Sequence, residues 1–321
     1  MEANARIFVA GHRGLVGTAI VRALQSQGYV NLLTRTHAEL DLTNDERVAR
    51  FFADEKPEYV FLAAAKVGGI LANSTYPADF IRVNLQIQTN VIHQAYLSGV
   101  KRLLFLGSSC IYPRDCDQPI KEEALFTGPL EVTNSAYATA KIAGVEMCRS
   151  YNQQHGTRYL CAMPTNLYGP GDNYDLATSH VLPALIRKFV EAKNIGASEV
   201  TVWGTGAPLR EFLFSDDMAD ACLHLMKLSD DQIEELVSTR QYPLINVGFG
   251  SDLSIAALAE LIRSVVGYDG RLEFDRSKPD GTPRKLIDSS LIRSLGWKPS
   301  TELRKGIALA MQDFHERYQK V

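Results

Sequence analysis

The feature that most constrains the fold lies in the first 28 residues. The short apolar run Ile7–Ala10 leads directly into a glycine-rich turn, GHRGLVG, at residues 11–17. A helical pattern follows, with apolar residues at Val16, Ile20 and Leu24. A strand, a glycine turn and a helix in this order predict a dinucleotide site, because the turn and the helix N-terminus together cradle a pyrophosphate.

Strand and helix patterns alternate as far as about residue 166. Further strands are predicted at residues 30–33, 59–64, Arg102–Leu106 and 159–163, and helices at residues 45–53 and 80–98 and from about Tyr137 onward. Strands that alternate with helices form βαβ units and a parallel sheet covered on both faces. We therefore predict an α/β protein with a Rossmann-like, doubly wound parallel sheet.

The pattern changes in the second half of the chain. Prolines at 170, 183 and 208 separate shorter segments, and helices are predicted at residues 181–192, 254–266 and Leu303–Tyr318. We predict a cofactor domain at residues 1–166, and a smaller mixed α/β C-terminal substrate domain mainly at residues 167–321. A segment near residues 211–250 is expected to return to the first domain, with Leu244–Val247 as a strand of the main sheet.

Charge and cysteine content exclude several classes of protein. The 321 residues carry 34 Lys and Arg against 37 Asp and Glu, a net charge of −3 without a long basic run. We therefore expect no nucleic-acid partner and no membrane partner. Five cysteines do not fit a secreted disulfide framework, and no apolar run approaches the roughly 18 residues of a membrane span. We predict a cytoplasmic protein without a metal site.

The residues after the second predicted strand bear on the choice of nicotinamide cofactor. An acidic side chain there would bind the ribose 2′-hydroxyl of NAD, but residues 34–37 read TRTH. Arg35, together with Arg13 in the glycine turn, would pair with a 2′-phosphate instead. This favours NADP(H).

A second group of residues suggests proton chemistry. Tyr137 and Lys141 are four residues apart, so they share one face of a helix. A phenol ionises near pH 10, and it can transfer a proton at neutral pH when a nearby cation stabilises its charged form. Ser108 follows the strand Arg102–Leu106, and ligands of parallel sheets lie beyond the carboxyl ends of the strands. Its hydroxyl is expected to face Tyr137 there.

Together Ser108, Tyr137 and Lys141 resemble the active site of the short-chain dehydrogenase/reductase superfamily. Five stretches match, in order, the extended branch that acts on nucleotide sugars: residues 11–17, 108–113, 137–141, 164–170 and 210–213. Three more, AAAKVGGI at 63–70, GSSCIYP at 107–113 and KPDGTPRK at 278–285, resemble the GDP-L-fucose synthase family in particular.

This resemblance implies that GDP-4-keto-6-deoxy-D-mannose is epimerised at C3 and C5 and then reduced at C4 by NADPH. Tyr137 would protonate O4, with Lys141 lowering its pKa and Ser108 holding the oxygen. Cys110 and His180 would be the base and acid of the epimerisation. The resemblance also implies which residues bind the cofactor and which bind the substrate. The implied cofactor residues are Gly11, His12, Arg13, Gly14, Leu15, Val16, Gly17, Arg35, His37, Asp41, Leu42, Leu106, Gly107, Ser109, Lys141, Pro164, Thr165, Asn166, Leu167 and His180. The implied substrate residues are Ser108, Cys110, Tyr137, Asn166, Lys188, Trp203, Arg210, Asp280 and Lys285.

The proposed chemistry can be checked against the residues themselves. A 4-ketone acidifies the protons on C3 and C5, and inversion of a centre needs a base on one face and an acid on the other. Cys110 lies two residues from Ser108, so an extended backbone would point both side chains to the same side. A thiol with a reference pKa of about 8.5 and a histidine suit these two roles. Free cysteines are more often small buried apolar residues, and we expect that of Cys148 and Cys161.

Three alternatives stay open at this stage: another nucleotide-sugar 4-reductase, a 4-epimerase, and a non-catalytic NADP-sensing regulator. A 4,6-dehydratase usually carries an acidic pair near Ser108, and Ser109 and Cys110 offer none. His37 departs from the family pattern, at a position that carries arginine in some relatives. The resemblance further implies a homodimer, joined through the helices predicted at residues 80–98 and 137–153.

Overall fold

The computed structural model describes residues 1–278 and 280–318, without the side chain of Ile70. Within these residues the strands are Ile7–Ala10 (β1), Leu32–Leu33 (β2), Tyr59–Leu62 (β3), Arg102–Leu106 (β4), Tyr159–Pro164 (β5), Asn166–Tyr168 (β6), Glu199–Trp203 (β7), Leu209–Phe214 (β8), Leu244–Val247 (β9), Asp252–Ser254 (β10), Arg271–Asp275 (β11) and Arg284–Lys285 (β12). The α-helices are Leu15–Ser26 (α1), Asp45–Glu55 (α2), Ile70–Thr75 (α3), Pro77–Leu97 (α4), Ser135–His155 (α5), Val181–Ile195 (α6), Ser215–Lys227 (α7), Asp230–Ser238 (α8), Ile255–Val266 (α9), Ser290–Ser294 (α10) and Leu303–Tyr318 (α11). Pro279, within the 278–285 motif, lies outside the described residues.

The main sheet has six parallel strands in the order β2-β1-β3-β4-β5-β9. Strands β1, β3 and β5 are buried along their whole length, as parallel strands covered on both faces must be. The predicted Rossmann-like α/β fold is therefore confirmed. The late strand β9 joins this sheet beside β5.

Alternate residues of each central strand enter different apolar clusters. Ile7 and Val9 of β1 pack with helices α1 and α7, whereas Phe8 packs with helices α2, α4 and α5. Because successive side chains of a strand point to opposite faces, the two clusters cover opposite faces of the sheet. A third cluster in the second half of the chain joins α6, α9 and α11.

Differences from the predicted boundaries have local causes. The second strand shortens to Leu32–Leu33, because Val30 is 78% exposed and does not pair with the sheet. The helix predicted at residues 80–98 begins earlier, at Pro77, because proline suits the first turn of a helix, where its missing N–H leaves no bond unmade.

Smaller sheets form the rest of the molecule. Strand β8 pairs antiparallel with β10 and parallel with both β12 and β6, and β7 pairs parallel with β11. Strand β6 begins two residues after β5 ends. The segment that leaves the main sheet at its carboxyl edge therefore runs directly into the second group of strands, and the two meet at that edge.

Asp172 gives a prediction for stability against pH. Its carboxyl group is buried, one of its oxygens has no hydrogen-bond partner among the described residues, and burial raises its pKa to about 7. The native state then retains a proton that the unfolded chain releases between about pH 4 and pH 7, so the free energy of unfolding falls as the pH rises through that range. Removing the charge should reverse this loss.

We therefore expect Asp172→Asn to raise the melting temperature at pH 8 by about 4 °C, and to change it little below pH 4. Differential scanning calorimetry of both proteins at both pH values measures the effect. Asp54→Asn, at an exposed position, is the matched control and should be neutral. A melting temperature of Asp172→Asn below that of the wild type at pH 8 would contradict the argument.

Candidate active site

The glycine turn after β1 packs so closely against neighbouring backbone that two of its positions accept only glycine. Gly11 has a φ of +86°, and a Cβ on it would lie 2.7 Å from the backbone nitrogen of Ala64. A Cβ on Gly17 would lie 2.0 Å from the carbonyl oxygen of Gly11. Gly14 is the N-cap of α1 without a side-chain cap, so the first N–H groups of the helix are open to an anion. The residues present fit a pyrophosphate.

Gly17→Ala should therefore weaken NADPH binding at least about 10-fold, because the added methyl group forces the turn away from the helix start. Gly28→Ala, just past the far end of α1, is the control and should bind NADPH as the wild type does, since a Cβ on Gly28 would meet no atom within 4 Å. Fluorescence titration with NADPH measures both, and thermal melting shows whether each variant is folded. Equal affinities in the two variants would refute this account of the turn.

The residues predicted for the adenosine end of the cofactor differ in how they are engaged. Arg35 forms an ion pair with Glu55, and its guanidinium carbon lies 5.4 Å from the ring centroid of Phe51. Arg13 is exposed and has no ion pair within the described residues. His37 is exposed, with Nδ1 3.8 Å from an oxygen of Asp41. Arg13 is therefore the more available cation of the two arginines.

The neighbouring Leu42 is tied into the scaffold, because its carbonyl oxygen accepts a hydrogen bond of 2.9 Å from Asn90. Inside the glycine turn, the carbonyl oxygen of His12 accepts a bond of 2.9 Å from Thr18. His12 thus shapes the turn.

Three predicted residues meet at the carboxyl end of β4. Lys141 is buried on α5, and its Nζ donates a hydrogen bond of 2.7 Å to the carbonyl oxygen of Leu106. The same Nζ lies 5.8 Å from the ring centroid of Tyr137. Ser108 is within hydrogen-bonding reach of the Tyr137 hydroxyl. The serine, the phenol and the ammonium group are therefore brought together.

Burial shifts the pKa values of Tyr137 and Lys141 in opposite directions. Burial raises the pKa of Tyr137 above its ordinary value, Cys110 adds to the increase, and the hydrogen bond from Ser108 opposes it. Burial also lowers the pKa of Lys141 to about 7. Burial dominates both pKa values because it penalises the charged forms of both groups, and the role of Lys141 toward Tyr137 stays a prediction. The phenol holds its proton at neutral pH, as a proton donor requires.

The expectation of an extended backbone from Ser108 to Cys110 is wrong. A single 3₁₀ turn covers Ser109–Ile111, because the Ser108 hydroxyl accepts a hydrogen bond of 3.3 Å from the Cys110 backbone N–H. The Cys110 sulfur nevertheless faces the site. It accepts a hydrogen bond of 3.4 Å from Asn134 Nδ2 and lies 3.8 Å from Lys285 Nζ.

His180 stands at the N-cap of α6 in extended conformation, and its side chain makes no cap hydrogen bond. His180 is exposed to solvent, although nearby protein atoms lower its pKa by desolvation. The preceding residues are fixed to the 63–70 motif, because Gly69 N–H donates a hydrogen bond of 3.2 Å to the Thr178 carbonyl. Within the described residues, no hydrogen bond joins the His180 and Cys110 side chains.

The predicted substrate residues lie mainly on the second group of strands. Lys188 Nζ is 5.3 Å from the ring centroid of Trp203, whose side chain is exposed. Arg210 is on β8 and Lys285 on β12, and these strands pair with each other. Asp280 accepts hydrogen bonds of 2.9 and 2.6 Å from the backbone and side chain of Thr205. A cationic and aromatic surface thus faces the carboxyl edge of the main sheet.

The remaining predicted residues follow β4 and β5. Gly107 packs so tightly that a Cβ on it would lie 1.9 Å from the Met163 side chain. Thr165 and Asn166 both donate hydrogen bonds to the Glu211 carbonyl, at 3.2 and 2.8 Å. Pro164 is the last residue of β5 and Leu167 lies in β6, whereas Ser109 begins the 3₁₀ turn after β4.

Sequence reasoning missed two residues of this region. Lys278 Nζ lies 5.5 Å from the Trp203 ring centroid, on the same indole as Lys188. Asn134 contacts the Cys110 sulfur. Its position three residues before Tyr137, at the start of the predicted helix, was the available signal.

The sequence is similar to those of known nucleotide-sugar enzymes. The pattern of the NAD dependent epimerase/dehydratase family matches residues 7–238. GDP-L-fucose synthase 1 of Arabidopsis thaliana is 61% identical over 307 residues, covering 96% of this chain and 92% of that protein. GDP-L-fucose synthase of Escherichia coli (strain K12) is 52% identical over 318 residues, covering 98% of each chain. The chain belongs to the GDP-L-fucose synthase family.

A solved structure agrees with membership of the GDP-L-fucose synthase family and widens the context. A GDP-mannoheptose C4 reductase from Campylobacter jejuni with NADP bound is 44% identical, with a TM-score of 0.90 over 98% of this chain and 99% of that one. The predicted enzyme class is therefore confirmed, and the reading as a non-catalytic regulator is set aside. No helix among residues 1–278 and 280–318 is long and apolar enough to cross a membrane.

Proposed function

We propose that this protein converts GDP-4-keto-6-deoxy-D-mannose into GDP-L-fucose, by epimerisation at C3 and C5 followed by NADPH-dependent reduction at C4. One observation carries the proposal. The Cys110 sulfur contacts Asn134 at the N-cap of α5, and Tyr137 lies in the first turn of that helix, so a base for carbon acids and an acid for a ketone oxygen share one site. A simple reductase has no need of the sulfur.

The cofactor would lie across the carboxyl edge of the main sheet. Gly11, Gly14 and Gly17 would hold its pyrophosphate at the start of α1, and Lys141 would bind the nicotinamide ribose. Residues 164–167 would lie beside the nicotinamide. When bound, NADPH supplies the hydride for C4.

In the epimerisation, Cys110 would remove the proton from C3 or C5 of the ketone as a thiolate. The enolate oxygen that develops would be held by the hydroxyls of Ser108 and Tyr137, which already face each other. His180 would return a proton on the opposite face, and desolvation, which lowers its pKa, makes its charged form a stronger acid. Cys110 would then release its proton to water and His180 would take one up, and the same two steps at the second carbon would complete the inversion.

In the reduction, the same oxygen becomes an alkoxide, and Tyr137 would donate its proton to O4. Burial keeps the phenol protonated at neutral pH, so the donor is loaded before the hydride arrives. The Lys141 ammonium would then stabilise the phenolate that remains. One oxygen-binding position would thus serve both half-reactions.

The substrate would be held by the second half of the chain. Lys188, Arg210 and Lys285 would pair with the diphosphate, Trp203 would cover the nucleotide, and Asp280 would fix the loop above it. We accordingly propose that residues 1–166, with β9, form the cofactor domain, and that the rest mainly forms the substrate domain.

Arg13 is expected to set the cofactor preference, because it is exposed beside the glycine turn and forms no ion pair with the residues that the structure describes. Arg13→Ala should weaken NADPH binding about 10-fold and leave NADH binding unchanged, through loss of one charge-assisted hydrogen bond to the 2′-phosphate. Arg35→Ala is the matched control and should have a smaller effect, since Arg35 is engaged by Glu55. Isothermal titration calorimetry with NADPH and with NADH measures both variants. A larger loss of NADPH affinity in Arg35→Ala than in Arg13→Ala would assign the 2′-phosphate contact to Arg35 instead.

The function is tested by incubating the protein with GDP-4-keto-6-deoxy-D-mannose and NADPH. Absorbance at 340 nm follows the hydride transfer, and proton NMR couplings identify the configuration of the product. GDP-L-fucose is the expected product. A 4-reduced sugar of unchanged configuration at C3 and C5 would refute the epimerase half.

That second outcome describes the rival function, a GDP-sugar 4-reductase without epimerisation. The solved C4 reductase at 44% identity is the observation that favours it. The two functions differ only in proton removal from carbon, so the state of C3 and C5 in the product separates them.

We propose further that the protein works in the cytoplasm as a homodimer, joined through α4 and α5. The two helices pack side by side, and they present an aromatic group of His93, Tyr96, Tyr151 and His155, in which the Tyr96 and His155 rings stack at 4.1 Å. Light scattering should give twice the chain mass of 35.6 kDa. A monomeric mass would refute the dimer.

A further inference from the structure

Asn134 stands at the N-cap of α5, three residues before Tyr137. An asparagine at this position usually accepts a hydrogen bond from the first turn of its helix. The Asn134 side chain makes no such bond. Its Nδ2 instead donates to the Cys110 sulfur at 3.4 Å. The Asn134 side chain therefore contacts the Cys110 sulfur and does not cap its helix.

The other polar atom of this side chain is unused. Asn134 Oδ1 is buried and has no hydrogen-bond partner among the described residues. Buried acceptors are almost always paired in native proteins, and an exception calls for an explanation such as a catalytic role. Turning the amide around would leave its nitrogen unpaired instead, so one polar atom remains available in either orientation.

We propose that Asn134 orients the Cys110 sulfur through Nδ2 and accepts a hydrogen bond from a hydroxyl of the hexose through Oδ1. It would thereby join the base and the sugar whose carbon it deprotonates. This inference rests on the proposed function, and it assigns Asn134 as a positioning residue for Cys110 that also touches the substrate.

The charged groups around the sulfur explain why a neutral amide is needed. Lys285 faces it from β12, Arg210 from β8 and Tyr137 from α5. Lys285 is proposed to pair with the substrate diphosphate, and its contact of 3.8 Å with the sulfur weakens when it does so. Asn134 does not form an ion pair with a phosphate, because its amide has no charge. It therefore keeps the sulfur in place while substrate is bound.

The contact with Cys110 is tested by the rate of alkylation with iodoacetamide, followed at the Cys110 peptide by mass spectrometry from pH 6 to pH 10. Asn134→Asp places a carboxylate beside the sulfur. It should slow alkylation at pH 7 about 10-fold and move the pH profile up by about one unit. Asn134→Ala should slow it about 3-fold. Thr133→Ala, at the exposed neighbouring position, is the control and should match the wild type. Unchanged profiles in both Asn134 variants would overturn the inference.

The contact with substrate is tested by the KM for GDP-4-keto-6-deoxy-D-mannose and by deuterium incorporation at C3 and C5. Asn134→Ala should raise KM about 5-fold and slow incorporation about 100-fold, with unchanged NADPH affinity. Loss of NADPH affinity would indicate a structural role at the helix start and would overturn the inference, as would wild-type values of KM and incorporation. If the wild-type protein incorporates no deuterium, the proposed function fails, and the alkylation profile still decides whether Asn134 orients Cys110.

Discussion

Replacement of Tyr137 by phenylalanine should lower the rate of C4 reduction at least about 1000-fold. The phenol is the group placed to protonate O4, and burial keeps it protonated at neutral pH. Phenylalanine preserves the ring contact with Phe80, whose centroid lies 6.3 Å away, so the fold of the site should survive. Stopped-flow absorbance at 340 nm with saturating substrate measures the change.

The same variant should retain two properties. NADPH affinity should stay within about 2-fold of the wild type, since the hydroxyl is not part of the glycine turn. Deuterium exchange at C3 and C5 should continue at a reduced rate, because Cys110 and Ser108 are intact. Loss of NADPH binding would show that Tyr137 is a structural residue, and a normal reduction rate would remove it as the proton donor.

Replacement of Cys110 by serine should lower the rate of epimerisation about 100- to 1000-fold, because a serine hydroxyl ionises far less readily than a thiol. The side chains have similar size, so NADPH affinity should be unchanged. The ketone that is no longer epimerised remains a target for hydride, and a 4-reduced sugar with its original configuration at C3 and C5 should accumulate.

A matched control for this variant is Cys116→Ser. Cys116 is half-buried, and its thiol donates to the Pro113 carbonyl at 3.4 Å, a bond that a serine hydroxyl retains. It should epimerise at the wild-type rate. Product analysis by NMR compares the two, and equal rates in Cys110→Ser and Cys116→Ser would exclude Cys110 as the base.

Local sequence patterns predict several strands and helices of this protein with their boundaries. Strand β4, strand β9 and helix α11 begin and end where the sequence predicts, because buried apolar runs and amphipathic helices set their own limits. The placement of Ser108 with Tyr137 followed from the rule that ligand sites lie beyond the carboxyl ends of parallel strands.

Local sequence patterns do not predict the tertiary contacts of the site. The 3₁₀ turn at Ser109–Ile111 arises from one hydrogen bond of the Ser108 side chain, which strand periodicity does not report. The partnership of Arg35 with Glu55 spans 20 residues and takes a predicted cofactor ligand into an ion pair. Burial raises the pKa of Tyr137 and lowers that of Lys141, and only the packed structure reveals this. Asn134 was missed because its contact lies 24 residues away along the chain.

We propose that one site of this protein both exchanges protons at carbon and reduces the ketone. This claim is tested most directly by turning over GDP-4-keto-6-deoxy-D-mannose with NADPH in deuterated water and locating deuterium in the product by NMR. We expect GDP-L-fucose that carries deuterium at both C3 and C5. A reduced sugar without deuterium at either carbon would contradict the claim and leave a simple 4-reductase.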